Sequence, residues 1–197
     1  MPTSDLDPLK AAFNRLSPLP EAEWALFAKG LSIKRLSKGQ AWIQAGQSGD
    51  EIAYVLEGLL RVYYLLPNGA EFIRSFRPEG QFSASYSAAL TRSVSEFTIE
   101  AIEDTKLVVF SYQHFAQGFT RHLCWQEIGR KISEALYIVF QKREYELLCL
   151  SAEDRYRSFR EEFRLLTNRL SQAQVASYLG ITPVSLSRLL GKKRQRK

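Results

Sequence analysis

The sequence predicts an α+β chain in which an antiparallel β-sandwich or small barrel lies between helical segments. Three observations carry this. Apolar residues recur at helical spacing near the N-terminus, at every second position in short runs between about Leu31 and Ser111, and at spacings of three and four again from about His122. Turn residues punctuate the middle stretch at short intervals, as the short strands of an all-β unit require. Charge is divided unevenly along the 197 residues: residues 1–150 carry 16 basic and 17 acidic side chains, residues 151–197 carry 11 and 4, and no acid occurs from Leu165 onward. That asymmetry reads as a basic module for a polyanion, appended to a neutral body.

Asp5 to Leu16 forms the first expected helix, with Leu9, Ala12, Phe13 and Leu16 on one stripe. Pro18 and Pro20 interrupt it, and Pro20 opens a second helix carrying Trp24, Leu26 and Phe27. The β region is marked by Lys38-Gly39, Gly46, Gly49-Asp50, Gly58, Pro67-Asn68-Gly69 and Pro78-Glu79-Gly80. Asn68-Gly69 between two apolar runs predicts a two-residue hairpin turn with positive φ at both positions. Leu60, Val62, Tyr64 and Leu66 alternate, as do Phe97, Ile99 and Ala101, while Leu107-Val108-Val109-Phe110 reads as a fully buried strand.

One helix is expected from about His122 to Cys149, roughly 40 Å long at 1.5 Å per residue. Its stripe of Trp125, Ile128, Ile132, Ala135 and Val139, flanked by Leu136 and Phe140, falls at coiled-coil spacing for two heptads. Such a helix either covers the face of the barrel or pairs with a second copy; because it outruns a small barrel the pairing is favoured, and these five residues are the expected homodimer interface. Ser151 and Asp154 form a box-like cap for the next helix, with Tyr156, Phe159 and Phe163 as its stripe. Three units follow: 1–121 with the β region, 122–150 as the dimerisation helix, and 151–197 as the basic module.

Leu170 to Gly191 carries the functional motif. Ser171-Gln172-Ala173-Gln174 is a capping box, Gly180 ends the short helix it opens, and Thr182-Pro183 caps and starts the next. Ala176 is small where the second helix crosses, and Leu179, Ile181, Leu186 and Leu189 fill the shared core. Two short helices around a glycine turn read as a helix-turn-helix, whose second helix fits the major groove of double-stranded DNA. An ordinary αα-hairpin shares this spacing. The absence of acid and the basic run Gly191-Lys192-Lys193-Arg194-Gln195-Arg196-Lys197 favour DNA, because affinity depends on neutralising phosphate.

Other classes are excluded or disfavoured. Met1-Pro2-Thr3-Ser4-Asp5 lacks the apolar core of a signal peptide, and no apolar run approaches the ~18 residues of a membrane helix. Cys124 and Cys149 form no CxxC pair and suit a reducing cytoplasm. With two histidines, His114 and His122, and no GxSxG, HExxH or phosphate-binding glycine loop, no catalytic residue, metal site or cofactor is expected. A cupin-like metalloenzyme needs clustered histidines on its strands. A small-molecule receptor that does not act on DNA is the competing function.

The order of β unit, long helix, hinge and helix-turn-helix resembles the Crp/Fnr (cyclic-AMP receptor) family of transcription regulators over about Leu31 to Leu190. The closest stretches are Val175 to Pro183 with Ser187-Arg188, Ser95 to Ala101, and Ser151 to Tyr156. The resemblance implies a cyclic-nucleotide-binding-like jelly-roll barrel that senses an effector, a cytoplasmic homodimer reading two DNA half-sites, and contact with RNA polymerase. It also implies where an effector would sit: Ala84, Ser85, Tyr86, Ser87, Arg92, Ser95 and Glu96. Ala84-Ser85 stand where cyclic-AMP receptors carry Gly-Glu, and Ser95-Glu96 where they carry Arg-Ser or Arg-Thr. A cyclic phosphate would meet Glu96 without its arginine, with Arg92 as the nearby cation. Tight cyclic-AMP binding is therefore not expected. In the reading helix Pro183 and Val184 replace the family's base-reading Arg and Glu. Readout is expected from Ser185, Ser187 and Arg188, with Val184 against a thymine methyl and Gln172 and Thr182 at phosphate or base edges. No wing strand is expected after that helix, and Lys192, Lys193 and Arg194 are expected on the phosphates.

Overall fold

The computed structural model describes residues 5–194, with side chains as far as Gly191. Helices α1 (Asp7–Leu16) and α2 (Glu21–Ala28) precede strands β1 (Ser32–Leu36), β2 (Ala41–Ile43), β3 (Glu51–Glu57), β4 (Leu59–Leu65), β5 (Glu71–Pro78) and β6 (Phe82–Ala84). Helix α3 (Tyr86–Thr91), strands β7 (Thr98–Ala101) and β8 (Thr105–Ser111), and helices α4 (Tyr112–Arg121) and α5 (Leu123–Cys149) follow. Helix α6 (Ala152–Glu162), a 3₁₀ turn at Arg164–Leu166, α7 (Gln172–Leu179) and α8 (Pro183–Arg194) complete the chain.

The strands form two antiparallel four-stranded sheets, β1-β8-β3-β6 and β2-β7-β4-β5. No strand pairing joins them, so the expected barrel is an open sandwich whose edge strands include β5 and β6. Alternation along each strand divides the apolar residues among three cores. Ala53, Val55, Leu60, Val62, Ile99, Leu107 and Val109 fill the space between the sheets. Their neighbours Ile52, Tyr54, Val108 and Phe110 face the other way and pack with α1, α2, α4 and the start of α5. Leu59, Ile73 and Phe76 pack with the C-terminal helices. Burial of both faces explains why β3 and β8 read as continuous apolar runs.

The β4–β5 hairpin differs from the expected two-residue turn. Gly69 has φ +79°, but Asn68 is not left-handed. The Gly69 N–H donates to the Leu66 carbonyl at 2.9 Å, the Leu66 N–H donates to the Ala70 carbonyl at 2.8 Å, and Asn68 Oδ1 accepts from the Ala70 N–H at 3.0 Å. This is a turn that resolves into a glycine bulge, with Pro67 fixing the first φ.

Two helices, α3 and α4, interrupt or follow the strands where the sequence showed no helical signal. Helix α4 contains Gly118, a poor helix former. Its presence is required by packing, because a Cβ there would lie 2.6 Å from Trp125 Cγ. Both histidines have structural roles. His114 shares a hydrogen bond with the Phe27 carbonyl at 2.8 Å, and His122 Nδ1 accepts from the Cys124 N–H at 3.1 Å to cap α5.

Candidate ligand cavity and nucleic-acid interface

The helix pair at the C-terminus follows from its caps. Ser171 Oγ accepts from the Gln174 N–H at 3.2 Å while Gln174 Oε1 accepts from the Ser171 N–H at 2.8 Å, which satisfies two donors at the start of α7. Gly180, at φ +67°, ends α7 in the left-handed region. Thr182 Oγ1 accepts from the Ser185 N–H at 3.1 Å and sets the start of α8. Ala176, Leu179 and Leu186 are buried between the helices. Gln172, Thr182, Val184, Ser185, Ser187 and Arg188 are all exposed. Among the described residues Arg188 has no ion pair. The side chains of Lys192, Lys193 and Arg194, and all of residues 195–197, lie outside the described residues.

This helix pair is held against the sandwich. Ser177 of α7 bonds to β5 through its hydroxyl. Arg169 reaches Glu79 with both Nη atoms, at 2.8 and 3.0 Å, and also Glu103. Burial raises the Glu79 carboxyl, but Arg169 outweighs it and holds the group below the usual carboxylate range. Arg155 donates to the carbonyls of Leu179 at 3.0 Å and Leu150 at 2.7 Å. Arg143 of α5 lies 3.8 Å over the Tyr178 ring, whose hydroxyl is pushed up by burial.

The expected dimer stripe divides in two. Trp125 and Ile128 are fully buried inside the protomer, and Trp125 Nε1 donates to Glu23 at 2.8 Å. They are therefore not available to a partner, because α1, α2 and α4 enclose the first half of α5. Ile132 is half-buried, whereas Ala135 and Val139 are exposed. Tyr137, Ile138 and Tyr145 add exposed apolar surface to the second half.

A cavity of about 250 Å³ opens where the sandwich is not closed, between the edges of β5 and β6, with Ile132, Leu136 and Phe140 of α5 across it. Of the expected effector residues, Ala84, Tyr86 and Ser87 line it. The other four do not. Ser85 is fully buried and packs against Gly49. Ser95 is buried, its hydroxyl donating to the Phe97 carbonyl at 2.7 Å. Arg92 and Glu96 are exposed, so the expected repulsion from Glu96 inside the pocket does not occur. The charged residues on the wall are Arg74 and Arg77, which sequence reading missed. The one available signal was two arginines inside an otherwise strand-like run.

Residues 33–122 match the cyclic nucleotide-binding domain family. No curated protein matches the sequence. Among solved structures, FixK2 from Bradyrhizobium japonicum is similar at 20% identity and a TM-score of 0.71, over 84% of this chain and 85% of that one. The c-di-GMP-responsive global regulator CLP of Xanthomonas campestris is similar at 16% identity and 0.72, over 90% and 93%. A Eubacterium rectale protein assigned to the Crp/Fnr regulators is similar at 18% and 0.75, over 94% and 88%. No helix among the described residues is long and apolar enough to cross a membrane. No carboxylate lines the cavity among the described residues, and the Ser95 hydroxyl is bonded to the Phe97 carbonyl away from the wall. The chain therefore carries a cyclic nucleotide-binding domain at residues 33–122 and shares, along more than four-fifths of its length, the fold of these solved regulators.

Proposed function

We propose that the chain is a DNA-binding transcription regulator that acts as a homodimer. In this reading α7 and α8 are a helix-turn-helix, α8 enters the major groove of double-stranded DNA, and two copies read two half-sites. The observation that carries it is the exposed face of α8, where Val184, Ser185, Ser187 and Arg188 stand free of any acid after residue 162. The second half of α5, with Ala135 and Val139 outward, is the dimer contact. The cavity holds a small-molecule effector other than a cyclic nucleotide, and RNA polymerase is the further partner.

Duplex binding over a salt series tests the reading. Phosphate contacts release counterions, so affinity should fall with a log–log slope of roughly −0.9 per phosphate neutralised. A protein that binds no duplex at low salt, yet still binds ligand, is a receptor module and not this regulator.

A further inference from the structure

We propose that the cavity between β5, β6 and α5 takes an apolar monocarboxylate, with its carboxylate on Arg74 and its body among the rings. This names the effector class for the regulator proposed above. It rests on that reading for its biological meaning and not for the binding itself.

The walls are mainly aromatic and aliphatic, with Phe82, Phe97, Phe110, Leu90, Leu136 and Phe140 among them. Such a lining favours burial of an apolar body. The charge on the walls is of one sign. Arg74 and Arg77 are the charged lining residues, and no acid faces them there among the described residues. An apolar cation is therefore rejected, and a neutral ligand leaves Arg74 unanswered.

Arg74 is aimed by the strand. Val62 pairs with Ser75 and Tyr63 with Ile73, so Arg74 is the extra residue of a β-bulge. Bulges of this kind redirect a side chain. Its guanidinium carbon lies 4.3 Å from the centre of the Phe140 ring and 5.1 Å from that of Phe97. Those rings hold its plane but leave its donors unused: among the described residues Arg74 makes no hydrogen bond or ion pair. The contrast within the molecule is clear. Arg61 bonds to Glu71 and Glu100, and Arg169 to Glu79 and Glu103.

Arg77 has one bond, to Gln81 Oε1 at 3.3 Å. Burial and then the neighbouring Arg74 lower its pKa, against Glu162, which raises it, so an anion between the two arginines would oppose their mutual repulsion. A second unanswered group is Ser83, whose buried hydroxyl lies on the cavity wall without a partner. A planar carboxylate matches the guanidinium fork and can accept from a hydroxyl as well. A single carboxylate suffices, because the rest of the wall carries no charge to meet a second.

Calorimetry on the full-length chain tests this, with octanoate and 3-phenylpropanoate as probes and 1-octanol, octylammonium and cyclic AMP as comparisons. At least one carboxylate should bind ten-fold or more tightly than octanol and octylammonium, and cyclic AMP should not displace it. Arg74→Met should bring the bound carboxylate and octanol within two-fold of each other, with thermal unfolding unchanged. Arg74→Lys should retain part of the preference. The proposal is overturned if neither carboxylate binds, if octanol binds equally well, or if the Met variant keeps the preference. Loss of duplex binding with carboxylate binding intact would remove the regulator reading alone.

Discussion

Ser177 of α7 is bonded to Glu71 of β5: its hydroxyl donates to the Glu71 carbonyl at 2.6 Å and accepts from the N–H of Ile73, two residues on, at 3.0 Å. Strand β5 is an edge strand, and one side chain from another element closes its open ladder. Ser177→Ala leaves the Ile73 N–H without its partner. The variant should lose about 1–3 kcal/mol of stability in urea unfolding. An unchanged midpoint would mean that α7 does not rest on β5 in solution.

The Arg169 contact should make this docking sensitive to acid. The Glu79 carboxyl is depressed in the folded chain, so its contribution is present above its ordinary value of 4.5 and is lost as pH falls through the lowered one. Glu79 is 41% exposed, so solvent screens the pair and the effect is modest. Unfolding midpoints measured from neutral pH down to about pH 3 should fall less steeply for Arg169→Gln than for the unmodified chain. Parallel curves would show that the pair does not stabilise the fold.

Self-association should depend on the outward face of α5. Ile138 and Val139 are exposed and lie outside the cavity wall. Ile138→Asp combined with Val139→Asp should give a folded monomer by light scattering, with the circular dichroism of the parent. A monomeric parent at micromolar concentration would remove the dimer.

Arg188 should contact DNA from α8. Arg188→Ala should cost about 1–3 kcal/mol per half-site and relax preference at one base position if it reads a base edge. Binding to cognate and scrambled duplexes at two salt concentrations separates base reading from a phosphate contact, which weakens both duplexes alike. No change in either affinity would place the reading face elsewhere.

Local signals were the most legible. The Ser171–Gln174 box, the left-handed Gly180 and the Thr182 cap depend on residues within four positions of one another, and each stands where the spacing placed it. Pairing between distant strands was not legible. Arg74 enters the cavity because Tyr63 skips to Ile73, a register that no periodicity within β5 reveals. The cavity itself collects Phe13, Phe97 and Phe140 from far along the chain. Trp125 and Ile128 fit the helical period of a dimer stripe equally well whether a partner or the same chain covers them. The packing of α1, α2 and α4 onto α5 decides between the two, and of these α4 was hidden by Gly118.

The two thiols differ in a way that gives the chain a built-in reporter. Cys124 is buried, and burial raises its pKa, while Cys149 is free and exposed on the last turn of α5. A thiol-reactive spin label should therefore attach selectively at Cys149, with no substitution needed. If two copies align α5 in parallel, the two labels sit near each other at one end. If they run antiparallel, the labels separate toward the helix length, roughly 40 Å at 1.5 Å per residue. A single dipolar distance thus reads out the orientation of the pair.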